Sequence, residues 1–160
     1  MKLGLSIFPT EHTLEPGRLG SLAEKAGFEL LLFAEHTHIP VSRETPFPAG
    51  GELPRKYLQI FDPFVAVAAA AATSNIRLGT GVCLLAQRDP IVTAKATATL
   101  DVMSNGRFEF GVGAGWNIEE TRNHGVDPGT RFALMREQVE AVKRIWTEDE
   151  AEFNLSLIHI

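Results

Sequence analysis

Apolar positions along the chain alternate between two rhythms. Short continuous apolar runs occupy residues 3–8, 28–34, 76–85 and 107–113, and stretches with helical spacing separate them. The first helix is expected over 16–26, where Leu19, Leu22, Ala23 and Ala26 share a face, with Gly27 as its C-terminal cap. Asp62-Pro63 and Asp89-Pro90 each open another. A short carboxylate takes the orphan N–H groups of a first turn, and proline at the first helical position forfeits no bond. The helix after Asp62 is rich in alanine and can lie close to a sheet; the one after Asp89 runs to about Met103, ending at Ser104-Asn105-Gly106. Met135, Val139, Val142 and Trp146 mark the inner stripe of a fourth, capped by Thr130, with Lys143 and Arg144 at the negative end of its dipole. Residues 35–61 have no period. Prolines at 40, 46, 48 and 54 and the Gly50-Gly51 pair predict a long irregular connection, of the kind that serves as a lid or binding loop.

The pattern is β-α four times over, which predicts a parallel sheet with right-handed crossovers. A doubly wound dinucleotide fold needs a glycine-rich turn after its first strand. Here that turn is Phe8-Pro9-Thr10-Glu11-His12, and Gly111, Gly113 and Gly115 are spaced G-x-G-x-G instead. A (β/α) barrel fits better. A complete barrel takes about 250 residues, whereas this chain has 160, so the expected fold is the N-terminal half of an α/β TIM (β/α)8 barrel. Half a barrel leaves both outer strands unpaired. Either two chains associate or the sequence is incomplete. The partial barrel domain is placed at 1–154, and residues 155–160, Leu-Ser-Leu-Ile-His-Ile, read as an unrelated tail.

A formal charge of -5 removes nucleic acid from the expected partners, since phosphate binding needs a basic face. No apolar run approaches the roughly 20 residues of a membrane span, and the N-terminus lacks the pattern of a signal peptide. The single cysteine, Cys83, lies in an apolar strand and reads as a buried core thiol; it fits a reducing compartment, so the expected location is cytoplasmic.

Active sites of parallel barrels lie at the C-terminal ends of the strands. Four clusters fall there: Phe8-Pro9, Glu35-His36, residues 80–85 and residues 113–116. A histidine at such a place can protonate or orient a bound ring near neutral pH, and the carboxylate before it can hold its tautomer. His38 is a weaker candidate. No carboxylate-histidine set has metal-ligand spacing. Gly79 and Gly81 interrupt one strand, and Gly111, Gly113 and Gly115 alternate at the end of another, with Trp116 next. Removing every second side chain weakens a strand. The alternation admits either a flat ligand brought against the backbone or close packing against a neighbouring strand. Lys95, Thr97 and Thr99 carry no chemistry, and Asp101 and Arg107 are expected to pair across a turn at the opposite end of the barrel.

Several of these segments together resemble the bacterial luciferase-like flavin and deazaflavin oxidoreductases. They are residues 23–28 with Glu35-His36, residues 62–65 with 68–73, residues 76–82, Asp89-Pro90-Ile91 with Ala94-Lys95, and residues 98–107 leading into 111–116. Among that family the chain looks most like the branch dependent on coenzyme F-420, an 8-hydroxy-5-deazaflavin. The resemblance implies a (β/α)8 barrel that transfers a hydride between the deazaflavin and a small organic substrate, and a homodimer when full length. It implies a proton-donor or orienting role for His36, with Glu35 behind it. It implies a non-proline cis peptide at Gly81-Val82 backing the ring, and Thr80, Gly81, Val82, Gly113, Gly115 and Trp116 as the cofactor-binding set. The phosphate-tail site is implied for the other half of the barrel. Some relatives have a glutamate where this chain has Trp116, which instead walls the ring or the substrate pocket. An FMN-dependent monooxygenase on the same barrel is the alternative enzyme; a non-catalytic half-barrel that binds flavin or assists assembly is the alternative of another class.

Overall fold

The computed structural model describes residues 2–73, 75–154 and 156. In chain order its elements are β1 (Gly4–Ile7), α1 (Pro16–Lys25), β2 (Leu30–Phe33), α2 (Pro63–Ala70), β3 (Arg77–Thr80), β4 (Cys83–Leu84), α3 (Pro90–Met103), β5 (Phe108–Glu109), β6 (Val112–Gly113), α4 (Ile118–Asn123) and α5 (Arg131–Thr147). Strands β1, β2, β3 and β5 form one parallel sheet in that order, and β4 pairs in parallel with β6. The order in the sheet follows the order in the chain, with only β4 passed over. A doubly wound sheet reverses its order at a switch point; this one does not, and its winding is that of a barrel.

Local chemistry builds these elements much as their sequence predicts. Asp62 Oδ1 accepts from the Phe64 and Val65 amides, Asp89 Oδ1 accepts from Val92, and a proline follows each at the first helical position. Gly27 takes a φ of 84° just past α1, which a Cβ would strain. On β2, Leu31 and Phe33 are fully buried toward the helices, while Leu30 and Leu32 are half-buried on the other face. Leu31 and Phe33 join Val67, Ala70, Leu78 and Leu100 in one core between sheet and helices. Each large side chain in it contributes about 1.5–3 kcal/mol by leaving water.

Four expectations need correction. The strands expected over 76–85 and 107–113 each break in two at the same level. A Cβ at Gly79 would collide with the Glu109 carbonyl oxygen, and one at Gly111 with that of Thr80. The two strands approach so closely there that the ladder is interrupted. It resumes only beyond the cis peptide Gly81-Val82, where β4 meets β6. Second, α4 is an unforeseen helix of 6 residues. Third, Thr130 stands at the start of α5 without capping it: its hydroxyl donates to the Asp127 carbonyl instead. Fourth, Arg107 does not pair with Asp101. Its guanidinium donates to the carbonyls of Ala71, Thr73, Ile76 and Ser104 and to the Thr73 hydroxyl, tying the α2 C-terminus to the start of β5. The tail expected over 155–160 lies outside the described residues apart from Ser156.

Candidate active site

The C-terminal ends of the strands meet at a cleft of about 330 Å³ lined by Phe8 after β1, Glu35 and His36 after β2, Gly81 and Val82 after β3, and Gly115 and Trp116 after β6. The proline-rich segment 35–61 supplies the outer wall. The Phe61 amide donates to the Pro9 carbonyl at 2.8 Å, anchoring its far end beside β1. A 3-10 turn at Arg55–Leu58 then sets the Tyr57 ring 4.6 Å from Phe8 and 5.5 Å from His36. Phe47 closes the row, 5.2 Å from Tyr57 and 5.9 Å from Trp116.

His36 is buried and held from both sides. Its Nδ1 lies 2.7 Å from Glu120 Oε2, and its Nε2 lies 3.1 Å from Trp116 Nε1. A carboxylate only accepts and an indole N–H only donates. Both contacts are satisfied together by a neutral ring with its proton on Nδ1 and a lone pair on Nε2. Glu120 is fully buried, and burial pushes its carboxyl up. The hydrogen bond from His36 and the backbone amides of Thr37 and His38 outweigh that, and its pKa lies below the ordinary value. The Asn117 side chain caps α4 by accepting from the Glu120 amide at 2.8 Å, which aims this carboxylate at His36.

Glu35 is not the carboxylate behind His36. Its Oε2 accepts from the Leu84 amide at 2.6 Å, and its Oε1 takes Nε and Nη2 of Arg88. Arg88 also donates to Asp62 Oδ2 at 2.8 Å and lies over the Phe64 ring. Glu35 therefore braces β4 and the start of α2 from beneath the cleft. Its bonds to the Leu84 amide and Arg88 hold its carboxylate away from the His36 ring.

The expected cofactor-binding residues divide. Gly81, Val82, Gly115 and Trp116 line the cleft, with Val82 41% exposed. Thr80 and Gly113 do not. Thr80 is buried and donates its hydroxyl to the Gly111 carbonyl at 2.7 Å, while Gly113 lies against the Val82 side chain. The glycines thus serve two ends. Gly79 and Gly111 allow close strand packing, and Gly115, at a φ of 78°, turns the chain at the cleft edge. Cys83 is fully buried; burial first, then the Glu35 charge, pushes its thiol pKa up, away from nucleophilic use.

Glu120, Glu119, Tyr57 and Phe47 went unread in the sequence. Asn117 with Glu120 three residues on has the form of a capping box and could have marked α4. Glu119, one residue away, faces the loop: it accepts from the Glu44 amide at 2.7 Å, the Thr45 amide at 2.9 Å, and the Thr45 and Ser42 hydroxyls. Burial would raise its carboxyl, but these bonds hold its pKa down at about 2.

A cleft at the strand ends of a parallel β/α sheet, with a tautomer-fixed histidine on its wall, defines a small-molecule site of the barrel type. The luciferase-like monooxygenase family matches residues 10–156, and the chain belongs to that family. It is 45% identical over 155 residues to an uncharacterized protein of Mycobacterium tuberculosis, covering 94% of this chain and 55% of that protein. It is 40% identical over 87 residues to the F420-dependent glucose-6-phosphate dehydrogenase of Kineococcus radiotolerans, covering 52% of this chain and 26% of that enzyme. The crystal structure of monooxygenase RslO1 from Streptomyces bottropensis matches with a TM-score of 0.82 at 29% identity, over 100% of this chain and 47% of that one. The chain spans about half the length of the mycobacterial relative, and its fold is about half of a luciferase-like barrel. The family has F420-dependent and FMN-dependent members.

Proposed function

We propose that the cleft takes the ring of coenzyme F-420, and that the whole protein moves a hydride between that ring and a small organic substrate. The observation carrying this reading is His36, held between Glu120 and Trp116 on the wall of the cleft with its Nε2 lone pair turned to the Trp116 indole N–H, which a proton can displace. The residues fit a flat heteroaromatic ring. The volume of about 330 Å³ falls in the ~300–1,000 Å³ range of small-molecule sites. Backbone at Gly81-Val82 and Gly115 gives a floor free of long side chains, with Phe8, Tyr57 and Trp116 on the walls. Among the described residues no lysine or arginine lines the cleft itself, and Lys56 stands over the Phe8 and Tyr57 rings of its wall, so the lining suits a flat ring and not a phosphate tail.

When bound, the ring supplies the hydride donor or acceptor. The chain's own residues do the rest. Val82 and Gly115 support the ring, Tyr57, Phe47 and Trp116 exclude water, and His36 Nε2 takes a proton from the reacting substrate or returns one. Similarity to an enzyme named for F420 dependence supports the deazaflavin over FMN. The lone buried thiol supports a reducing, cytoplasmic setting, and among the described residues no helix is long and apolar enough to cross a membrane.

Titrating the protein with coenzyme F-420 and separately with FMN, by absorbance and fluorescence, tests this. Saturable binding of F-420, tighter than that of FMN, is the expected result. Saturable binding of FMN alone moves the site to the flavin-dependent members. A folded protein that binds neither overturns the reading.

A further inference from the structure

We propose that Glu120, Thr37 and His124 form a proton relay joining His36 to the outer surface, a second entrance to the site from behind. The proposal rests on the reading of the cleft as the reacting site and adds a route that the cleft itself does not show. Glu120 Oε1 accepts from the Thr37 amide at 2.9 Å and the Thr37 hydroxyl at 3.2 Å. Thr37 Oγ1 in turn lies 2.7 Å from His124 Nε2 and 3.0 Å from His38 Nδ1. Asn123 Nδ2 meets His38 Nε2 at 2.9 Å, which places the His38 proton on Nδ1. Counting donors then closes without conflict. His38 Nδ1–H and His124 Nε2–H both donate to Thr37 Oγ1, whose single proton goes to Glu120, and His36 Nδ1–H donates to the other oxygen of the same carboxylate. Thr37 and His124 are exposed, whereas Glu120 is fully buried. The contact with Thr37 is thus where the buried His36–Glu120 pair reaches the surface.

The arrangement matters once a ligand fills the cleft and water can no longer reach Nε2. A proton arriving on His36 Nε2 displaces the Trp116 N–H and makes the ring cationic. The Nδ1 proton passes to Glu120 Oε2, leaving His36 neutral and Glu120 an uncharged acid. The carboxyl turns to present that proton to Thr37 Oγ1, and the Thr37 hydroxyl proton passes to water at the exposed surface, or to His124 Nε2 when that ring carries its proton on Nδ1, from which a proton is then released to water. One proton enters, one leaves and no electrons move; the His36 ring is left with its proton on Nε2, and the reverse sequence, which feeds a proton in, returns it to Nδ1. The titratable groups around Glu120 are His36 and, beyond its ring, Tyr57 on the cleft side, with His38 and His124 on the outer side. Its neighbour Glu119 faces away onto residues 42–45.

Exchange of the His36 Nδ1 proton with water, read by NMR on protein labelled with nitrogen-15 in histidine, tests the relay without cofactor or substrate. Thr37→Val is expected to slow exchange at least tenfold and Thr37→Ser to restore it. His124→Ala is expected to slow exchange by a smaller factor than Thr37→Val does. Exchange in T37V within twofold of the parent, with the amide spectrum of the fold intact, overturns the proposal. So does a His36 ring protonated on Nε2 and bare on Nδ1 in the resting protein. Should T37V fail to fold, the exposed His124→Ala variant decides alone, its exchange rate either falling more than twofold below the parent or staying with it. A failed cofactor titration leaves this outcome untouched, so the two readings fall separately.

Discussion

At the scale of single residues, two buried carboxylates part company. Glu35 and Glu120 are both buried, yet one braces the fold and the other faces the His36 ring. Glu35→Gln keeps the shape but leaves Arg88 with Asp62 as its remaining anionic partner. Removing one member of a buried pair costs about 3–5 kcal/mol. Because Arg88 retains Asp62 and some water, about 2–3 kcal/mol is the expected loss for E35Q, read from urea unfolding. The His36 Nδ1–H resonance is expected to stay where it was, since Glu35 does not touch that ring. A resonance that moves in E35Q as far as it does in E120Q would return Glu35 to the role its place in the sequence implied.

At the scale of elements, α4 latches the long loop. Glu119, in the first turn of a six-residue helix, gathers the Glu44 and Thr45 amides and two hydroxyls, while the Thr45 hydroxyl also accepts from the Ile118 amide at 3.1 Å. Its folded pKa of about 2 lies below the ordinary 4.5. A depressed carboxylate stabilises the fold fully above its unfolded value and loses that contribution as pH falls through the folded one. Unfolding midpoints of the parent and of Glu119→Gln should therefore differ most at neutral pH and converge between about 4.5 and 2. A constant gap across that window would mean that the latch is packing and not charge. The loop was legible as irregular from its prolines and glycine pair. Its anchor was not, because Glu119 lies 74 residues from Thr45.

At the scale of the molecule, the described sheet has β1 at one side and β5 at the other, each with a free edge among the described residues. Leu3 is half-exposed beside the first of them. Free parallel edges invite pairing with another chain. Sedimentation of the 160-residue chain is expected to show association that grows with concentration. The Leu3 and Ile7 carbonyls accept from the Glu29 and Ala34 amides that flank β2, so the pleat turns the Ser6 amide outward. Ser6→Pro removes that outward donor without touching the ladder and is expected to weaken association while circular dichroism stays the same. Unchanged association would place the contact elsewhere.

The chain by itself determined whatever depends on near neighbours: two Asp-Pro helix starts, the buried run of β2, the alternation of strand and helix, and hence the barrel winding. It also placed His36 at a strand end. Only the tertiary structure decided what His36 faces, because Glu120 lies 84 residues away and Trp116 lies 80 away. No local period records such a meeting. Tertiary packing likewise decided which glycines serve the cleft. Gly79 and Gly111 are small because another strand's backbone occupies the space a Cβ needs, and that neighbour exists only once the sheet has formed.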